Sequence, residues 1–433
     1  MNATAPIDLA RILELTHNYG NQGFAMFLEM FDLSRHFVRA KGCQIFDAKD
    51  TKYLDFLSAF GVLNLGHNPK AVKKALLLAI QSDLPLHMQA NLCESEALLS
   101  KLLCDIAPGK MHRVFLCNSG AEGVEAAIKM ARLATKKSVI LSIVGGFHGK
   151  TLGALSATPN ERYQAPFRPL VPGFEAVAFG DLNALEKRLK KGDVAGLIIE
   201  PVMGEGGVIL HPEGYLKEAE RVCRENGALF ILDEIQTGFG RTGRFFAAEH
   251  FGLSPDIIVL SKSLSGGYVP IGALLYTEKV SEMAHKDLPD WFLHTNTFGG
   301  NTLACVGALV AITEMERQKI WEKAERQGAY LLEKLQAIAE SYPAIITEVR
   351  GIGLMIGMEL VRREEMPLEE SGSLLFAKEL MARNIVSAYT INRPWVIRVA
   401  PPLIVRRSQC DFFFNALEDT LKHFQKQGAP WKS

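Results

Sequence analysis

An α/β fold around a mainly parallel sheet is what this chain predicts, on two observations. Short β-rich runs alternate with longer amphipathic stretches, and several of the runs are apolar throughout, as strands covered on both faces must be. The strand candidates in chain order are residues 114–117, 138–143, 196–199, 228–232, 256–260 and 271–276. Between them, residues 121–135 carry apolar positions at Val124, Ala127, Ile128, Ala131 and Leu133, a helical spacing. A second helix is predicted over 215–226, stopped by Gly227. From Thr302 a helical stretch runs to about Met315 and another covers 321–340. Short strands at 346–349 and 355–360 then open a tail that reads as a smaller α/β domain. No repeat, low-complexity segment or flexible linker interrupts the chain, so the boundary between the large and small parts is expected inside a helix near 305–320.

Composition narrows the function class. The chain has 433 residues, 48% of them hydrophobic, and balances 48 basic against 48 acidic side chains. It is long enough to bury a sizeable core, and its even charge offers no field for nucleic acid or an anionic membrane, so small molecules are the expected partners. Seven scattered cysteines without a CxxC pair suit free thiols in a reducing compartment. Neither a signal-like start nor a bilayer-length apolar stretch is present, and a cytoplasmic location is the expectation.

Chemistry enters with Asp233 and Lys262, each placed at the end of an apolar run, the Lys 29 positions (262 − 233) after the Asp. Singly, an Asp behind a strand is ordinarily a turn or cap and a loop Lys is ordinarily solvated. Together at neighbouring strand ends they are what pyridoxal phosphate needs: an amine to condense with its aldehyde and a carboxylate to keep its ring nitrogen protonated. A phosphate site is read in Ser119-Gly120-Ala121, which follows a strand and opens a helix. The Gly120 and Ala121 amides and the Ser119 hydroxyl would face an anion there, although Ser119 as a plain N-cap explains the same residues. Phe147 and His148 follow the strand 138–143, where an aromatic ring can cover the cofactor. Gln236 is placed to hydrogen-bond the phenolic oxygen, and the 295–301 segment, with Thr297, supplies hydroxyls before a long helix.

The string Leu232-Asp233-Glu234-Ile235-Gln236-Thr237-Gly238-Phe239-Gly240-Arg241-Thr242-Gly243, with Ser261-Lys262 and Thr297-Phe298-Gly299-Gly300-Asn301, closely resembles the class III pyridoxal-phosphate aminotransferases. The likeness covers roughly residues 40–410. Within the class, Leu86-His87, Cys117 to Gly120, Phe147 to Thr158 and Pro172-Gly173-Phe174 look most like putrescine aminotransferases, with the ornithine and acetylornithine enzymes close behind. The resemblance implies fold type I, with a mostly parallel seven-stranded sheet in a large domain (76–310) and a small domain made from both chain ends (1–75 and 311–433). It also implies a homodimer with shared active sites, in which Thr297 reaches the neighbouring subunit's cofactor phosphate. Phe147 would stack on the ring and Gln236 would contact its oxygen.

Substrate residues follow from the same likeness. Glu200 and Glu205 fall in a Glu-Pro-x-x-Gly-Glu segment, whose second carboxylate pairs with Arg398 when an amine donor is bound and releases it to a dicarboxylate acceptor. Lys150 stands where many ornithine-type enzymes carry arginine, and Met203 where glutamine is common, which favours a less polar terminal amine over an amino acid donor. The expected reaction moves the amino group of a putrescine-like diamine or other ω-amine to a keto acid, 2-oxoglutarate before pyruvate, in a ping-pong cycle. Alternatives are an ornithine or acetylornithine δ-aminotransferase and a class III aminomutase or racemase.

Overall fold

The computed structural model describes residues 8–88, 91–285, 292–361 and 372–427. The domain ranges drawn from the sequence also run over the remaining residues, which lie outside the described ones.

Seven strands form the central sheet: β1 (Met111–Cys117), β2 (Val139–Ile143), β3 (Phe174–Val177), β4 (Val194–Ile199), β5 (Leu229–Asp233), β6 (Ile257–Leu260) and β7 (Gly272–Thr277). Their order across the sheet is β1-β7-β6-β5-β4-β2-β3. All neighbours are parallel except β7, which runs antiparallel to both β6 and β1. Every residue of β2, β4, β5 and β6 is buried. That is why these runs are almost wholly apolar, Ser142 and the terminal Asp233 apart: helices cover both faces, and each buried Ile or Leu contributes about 1.5–3 kcal/mol.

Six of the strands match the sequence expectations to within a few residues; β3 was missed. It is a four-residue edge strand with only Val177 buried, and its short run is broken by the exposed Glu175. The helix Gly120–Thr135 buries Val124, Ala127, Ile128 and Ala131 along one stripe and stops at Lys136, whose φ is 58°. It lies so close to β6 that a Cβ on Gly123 would sit 2.8 Å from Val259 Cγ1.

Strand direction positions the site. Because β1, β2, β4, β5 and β6 all point the same way, the residues that follow their carboxyl ends gather along one edge, where open parallel sheets bind ligands. The register sets Asp233 of β5 opposite Val259 of β6, and Lys262 begins a short 3-10 turn, Lys262–Ser265, two residues beyond that strand.

Two four-stranded sheets flank the centre. In one, Phe37–Lys41, Gln44–Asp47 and Lys52–Asp55 are extended by Ile385–Val386, which pairs in parallel with Lys52–Asp55, so the two ends of the chain meet. In the other, Ile346–Ile352, Met355–Leu360, Val396–Val399 and Ala388–Tyr389 line up, and Arg398 sits in register with Gly357. The long helices Thr302–Gln318 and Ile320–Ser341 are joined through Lys319 in a left-handed conformation, φ 46°.

Arg241 ties the centre to both chain ends. Fully buried, it donates to the carbonyls of Leu354 (3.0 Å) and Pro401 (2.6 Å), to Ser58 Oγ (3.1 Å) and to Asn64 Oδ1 (2.6 Å).

Candidate active site

A cavity of about 250 Å³ opens at the carboxyl edge of the sheet, lined among others by Gly120, Phe147, His148, Asp233, Gln236 and Lys262. Lys262 holds a left-handed backbone, φ 45°, uncommon for a residue with a side chain. Desolvation lowers the pKa of its amine, with Asp233 the largest opposing influence. Among the described residues it makes no ion pair.

Asp233 is buried and fully engaged on one side: Oδ2 meets His148 Nδ1 at 2.8 Å and Oδ1 accepts from the Ile235 amide at 3.1 Å. His148 is itself buried, and Thr158 Oγ1 accepts its backbone amide at 2.9 Å. The imidazole thus fixes the carboxylate's direction while one lone pair of each oxygen stays open to the cavity.

The helix beginning at Gly120 supplies the anion end. Ser119 Oγ accepts from the Glu122 amide at 3.2 Å, and Glu122 Oε2 accepts from the Asn118 amide at 2.7 Å. Ser119 is therefore the N-cap, and its O–H proton remains to donate. Gly120 and Ala121, the first two helical residues, have amides with no intrahelical acceptor. A Cβ on Gly120 would meet Ile235 Cδ1 at 2.8 Å, so a larger residue there would have to push that side chain aside.

Glu200 lies behind Phe147. Its Oε1 accepts from the Phe147 amide (2.9 Å) and its Oε2 from the Gly204 amide (3.0 Å), while burial raises its pKa to about 7. Both oxygens hold backbone, and Glu200 lines the cavity as a wall residue. Gln236 Nε2 donates to the Phe60 carbonyl (3.0 Å), and a Cβ on Gly204 would collide with its Oε1.

Glu205 and Arg398, distant in sequence, meet in space: Glu205 Oε1 lies 2.7 Å from an Arg398 terminal nitrogen, with Arg398 2% exposed. Two of the Arg398 nitrogens, Nε and the one facing Glu205, have no well-directed hydrogen bond. Its guanidinium stands 5.2 Å from the centre of the Phe60 ring. A buried arginine held by charge alone keeps its planar fork ready for another carboxylate.

Four expected residues are not among those lining the cavity: Ser119 and Arg398, which contact its walls, and Thr297 and Lys150. Thr297 lies on an exposed turn, and Lys150 is exposed with Nζ 4.8 Å from the Tyr163 ring centre. Others were missed: Ile235 and Ser261 line the cavity, and Phe60, from the N-terminal segment, sets its ring by Arg398 and its carbonyl on Gln236. Adjacency to Asp233 and Lys262 was a signal for the first two. Phe60 had none, because its approach depends on a left-handed turn, Ser58 to Gly61 (φ 55°, 46°, 60° and 92°), that no local pattern announces.

This geometry has known counterparts. The family described as Aminotransferase class-III matches residues 30–421. The chain belongs to the class-III aminotransferases. It is 42% identical over 439 residues to a putrescine aminotransferase of Pectobacterium atrosepticum, covering 96% of this chain and 91% of that one. In structure it is similar to the ornithine aminotransferase of Toxoplasma gondii, with a TM-score of 0.88 and 30% identity over 98% and 97% of the two chains. An amine transaminase from an uncultivated Pseudomonas species, solved with pyridoxal phosphate bound, matches at a TM-score of 0.83 and 28% identity over 90% and 95%. This class-III aminotransferase is a pyridoxal-phosphate-dependent transaminase of fold type I. Its cavity fits that cofactor on its own chemistry. It offers two helix N-terminal amides for a phosphate, a buried carboxylate braced by an imidazole for the ring nitrogen, and an unpaired lysine amine for the aldehyde.

Proposed function

We propose that this class-III aminotransferase takes the amino group from a terminal primary amine, a putrescine-like diamine or related ω-amine, and passes it to 2-oxoglutarate. The observation that carries this reading is the pairing of Arg398 with Glu205, whose carboxylate lines the cavity that holds Lys262. With Glu205 on Arg398 the wall is charge-balanced and receives a donor lacking a carboxylate; with Glu205 withdrawn, Arg398 presents a fork to a dicarboxylate acceptor. The 42% likeness to a putrescine aminotransferase supports the donor class. A second reading, an ornithine-like donor, is favoured by the likeness to the Toxoplasma enzyme.

Pyridoxal phosphate, when bound, supplies an aldehyde that condenses with amines and a ring that takes up the electrons of a carbanion. The roles of the side chains follow from their placement. Gly120, Ala121 and Ser119 bind the phosphate, Phe147 covers the ring face, and Gln236 meets the ring oxygen. Asp233, oriented by His148, holds a proton at the ring nitrogen. The Lys262 amine, its affinity for protons lowered by desolvation, acts first as the nucleophile that anchors the cofactor and then moves the proton at the substrate carbon.

The chain divides in this reading into a large domain, 76–310, and a small one from 1–75 and 311–433. It works in the cytoplasm as a homodimer, with Thr297 of each subunit serving the other's phosphate site. Support for pairing comes from a run of exposed apolar side chains, Leu77, Leu78, Ile80, Leu84, Leu86 and Leu92, more than a monomer's surface ordinarily leaves open. Among the described residues no helix is long and apolar enough to cross a membrane.

A panel of amine donors at fixed 2-oxoglutarate tests the reading. The expected result is the highest kcat/KM with a diamine; a preference for ornithine gives the second reading, and no turnover with any donor overturns both.

A further inference from the structure

The gate carboxylate Glu205 is gripped by a segment that no sequence pattern marked. Residues 390–395, between the strands Ala388–Tyr389 and Val396–Val399, cross from the C-terminal part of the chain to the edge of the cavity. The Ile391 amide donates to Glu205 Oε2 at 3.1 Å, and the Asn392 amide donates to the Glu205 carbonyl at 3.0 Å. Side chain and backbone of Glu205 are therefore both held by two consecutive residues.

Asn392 in turn fastens this strap to the large sheet. Its Nδ2 donates to the carbonyls of Gly145 (3.0 Å) and Gly146 (3.3 Å), directly before Phe147, and its Oδ1 accepts from Asn160 Nδ2 at 3.0 Å. The Tyr163 hydroxyl adds a bond to the Ile391 carbonyl at 3.2 Å. Both donors and the acceptor of the Asn392 amide are thus spent on anchoring, in an arrangement that no other side chain of that size reproduces.

We propose that Asn392 is a positioning residue that holds Glu205 on Arg398, and so sets the balance between amine donor and dicarboxylate acceptor. The inference rests on the reading of Arg398 as the acceptor's carboxylate site. Its logic is a population shift. The bonds through Ile391 and Asn392 exist in the state where Glu205 faces Arg398, so loosening them favours the state where Arg398 is open. A dicarboxylate, which needs the open state, gains; an amine donor, which needs Arg398 neutralised, loses. An ordinary structural staple would weaken both.

The test uses holoenzyme and two ligands. Glutarate, an unreactive dicarboxylate, is titrated by calorimetry, and donor KM is measured in the half-reaction with the best amine of the panel. Asn392→Ala is expected to lower the Kd of glutarate and raise the donor KM, the two fold-changes multiplying to about three- to tenfold, the worth of a hydrogen bond. Asn392→Asp, which turns the donor toward Gly145 and Gly146 into an acceptor, should do the same. Should either variant fail to load cofactor, Asn160→Ala removes the anchor from the opposite side and should move both constants in the same directions. Weaker glutarate binding alongside a raised donor KM overturns the proposal, as does no change in either. Arg398→Ala separates the two levels: if it leaves glutarate affinity intact, the acceptor assignment fails and this proposal with it, whereas lost affinity there with parallel weakening in Asn392→Ala overturns the proposal alone.

Discussion

Glu234 and Asp233 are neighbours in sequence with opposite duties. Asp233 faces the cavity, while Glu234 turns away, accepting from Thr237 Oγ1 (2.6 Å) and from the Ala247 (3.1 Å) and Ala248 (2.7 Å) amides, and burial raises its pKa from 4.5 to about 7. A carboxyl whose folded pKa lies above its unfolded one stabilises the fold while protonated. That contribution is complete below about pH 4.5 and is lost as pH rises through about 7, a change on the order of 3 kcal/mol for Glu234. Urea unfolding at pH 5 and pH 8 should show wild type losing more stability across the interval than Glu234→Gln; equal losses would contradict it. Lys262→Ala should abolish turnover and the visible absorbance of bound cofactor, and a variant with normal rate would remove the assignment of Lys262. At this scale the sequence was most informative where chemistry follows a strand end, as at Asp233 and Lys262. It was silent on Glu234 and His148 as partners of particular groups, because burial and direction are set by the packing of segments far apart in the chain.

The turn from Ser58 to Gly61 carries three non-glycine residues at positive φ in succession. Each left-handed L-residue costs about 1–2 kcal/mol, and that strain places Phe60 beside Arg398 and its carbonyl on Gln236. Ala59 is exposed with φ 46°, so Ala59→Gly should stabilise the protein by about 0.5–1 kcal/mol after the added flexibility of the unfolded chain is counted, read as a raised denaturation midpoint. A lowered midpoint would mean the turn is relaxed. Arg241 works across elements in the opposite sense. Desolvation pushes its pKa down to about 9, which leaves it charged at neutral pH, and its loss orphans acceptors on Ser58, Asn64, Leu354 and Pro401. Arg241→Ala should cost about 3 kcal/mol or more, measured by urea unfolding. Strands buried on both faces were legible because their composition is one-sided. The edge strand Phe174–Val177 and the turn at Ser58 were not, since an edge needs no apolar run and a strained turn contradicts local preference.

At the scale of the whole molecule, the parallel strands bring residues from 119 to 262 to one edge, and the chain ends supply Phe60 from one side and Arg398 from the other. Thr297 stays outside this chain's own cavity, exposed, which fits a role toward a second subunit. Light scattering should give twice the 47.8 kDa chain mass, and Thr297→Ala should weaken cofactor retention about tenfold or more, the worth of a hydrogen bond to a charged group. A monomeric mass with full activity would contradict shared sites. The central claim is that the cofactor is anchored through Lys262. Borohydride reduction of the holoenzyme, followed by digestion and mass spectrometry, should find the pyridoxyl mass on the peptide containing Lys262 alone. The same mass on a different lysine, or on none, would contradict the account.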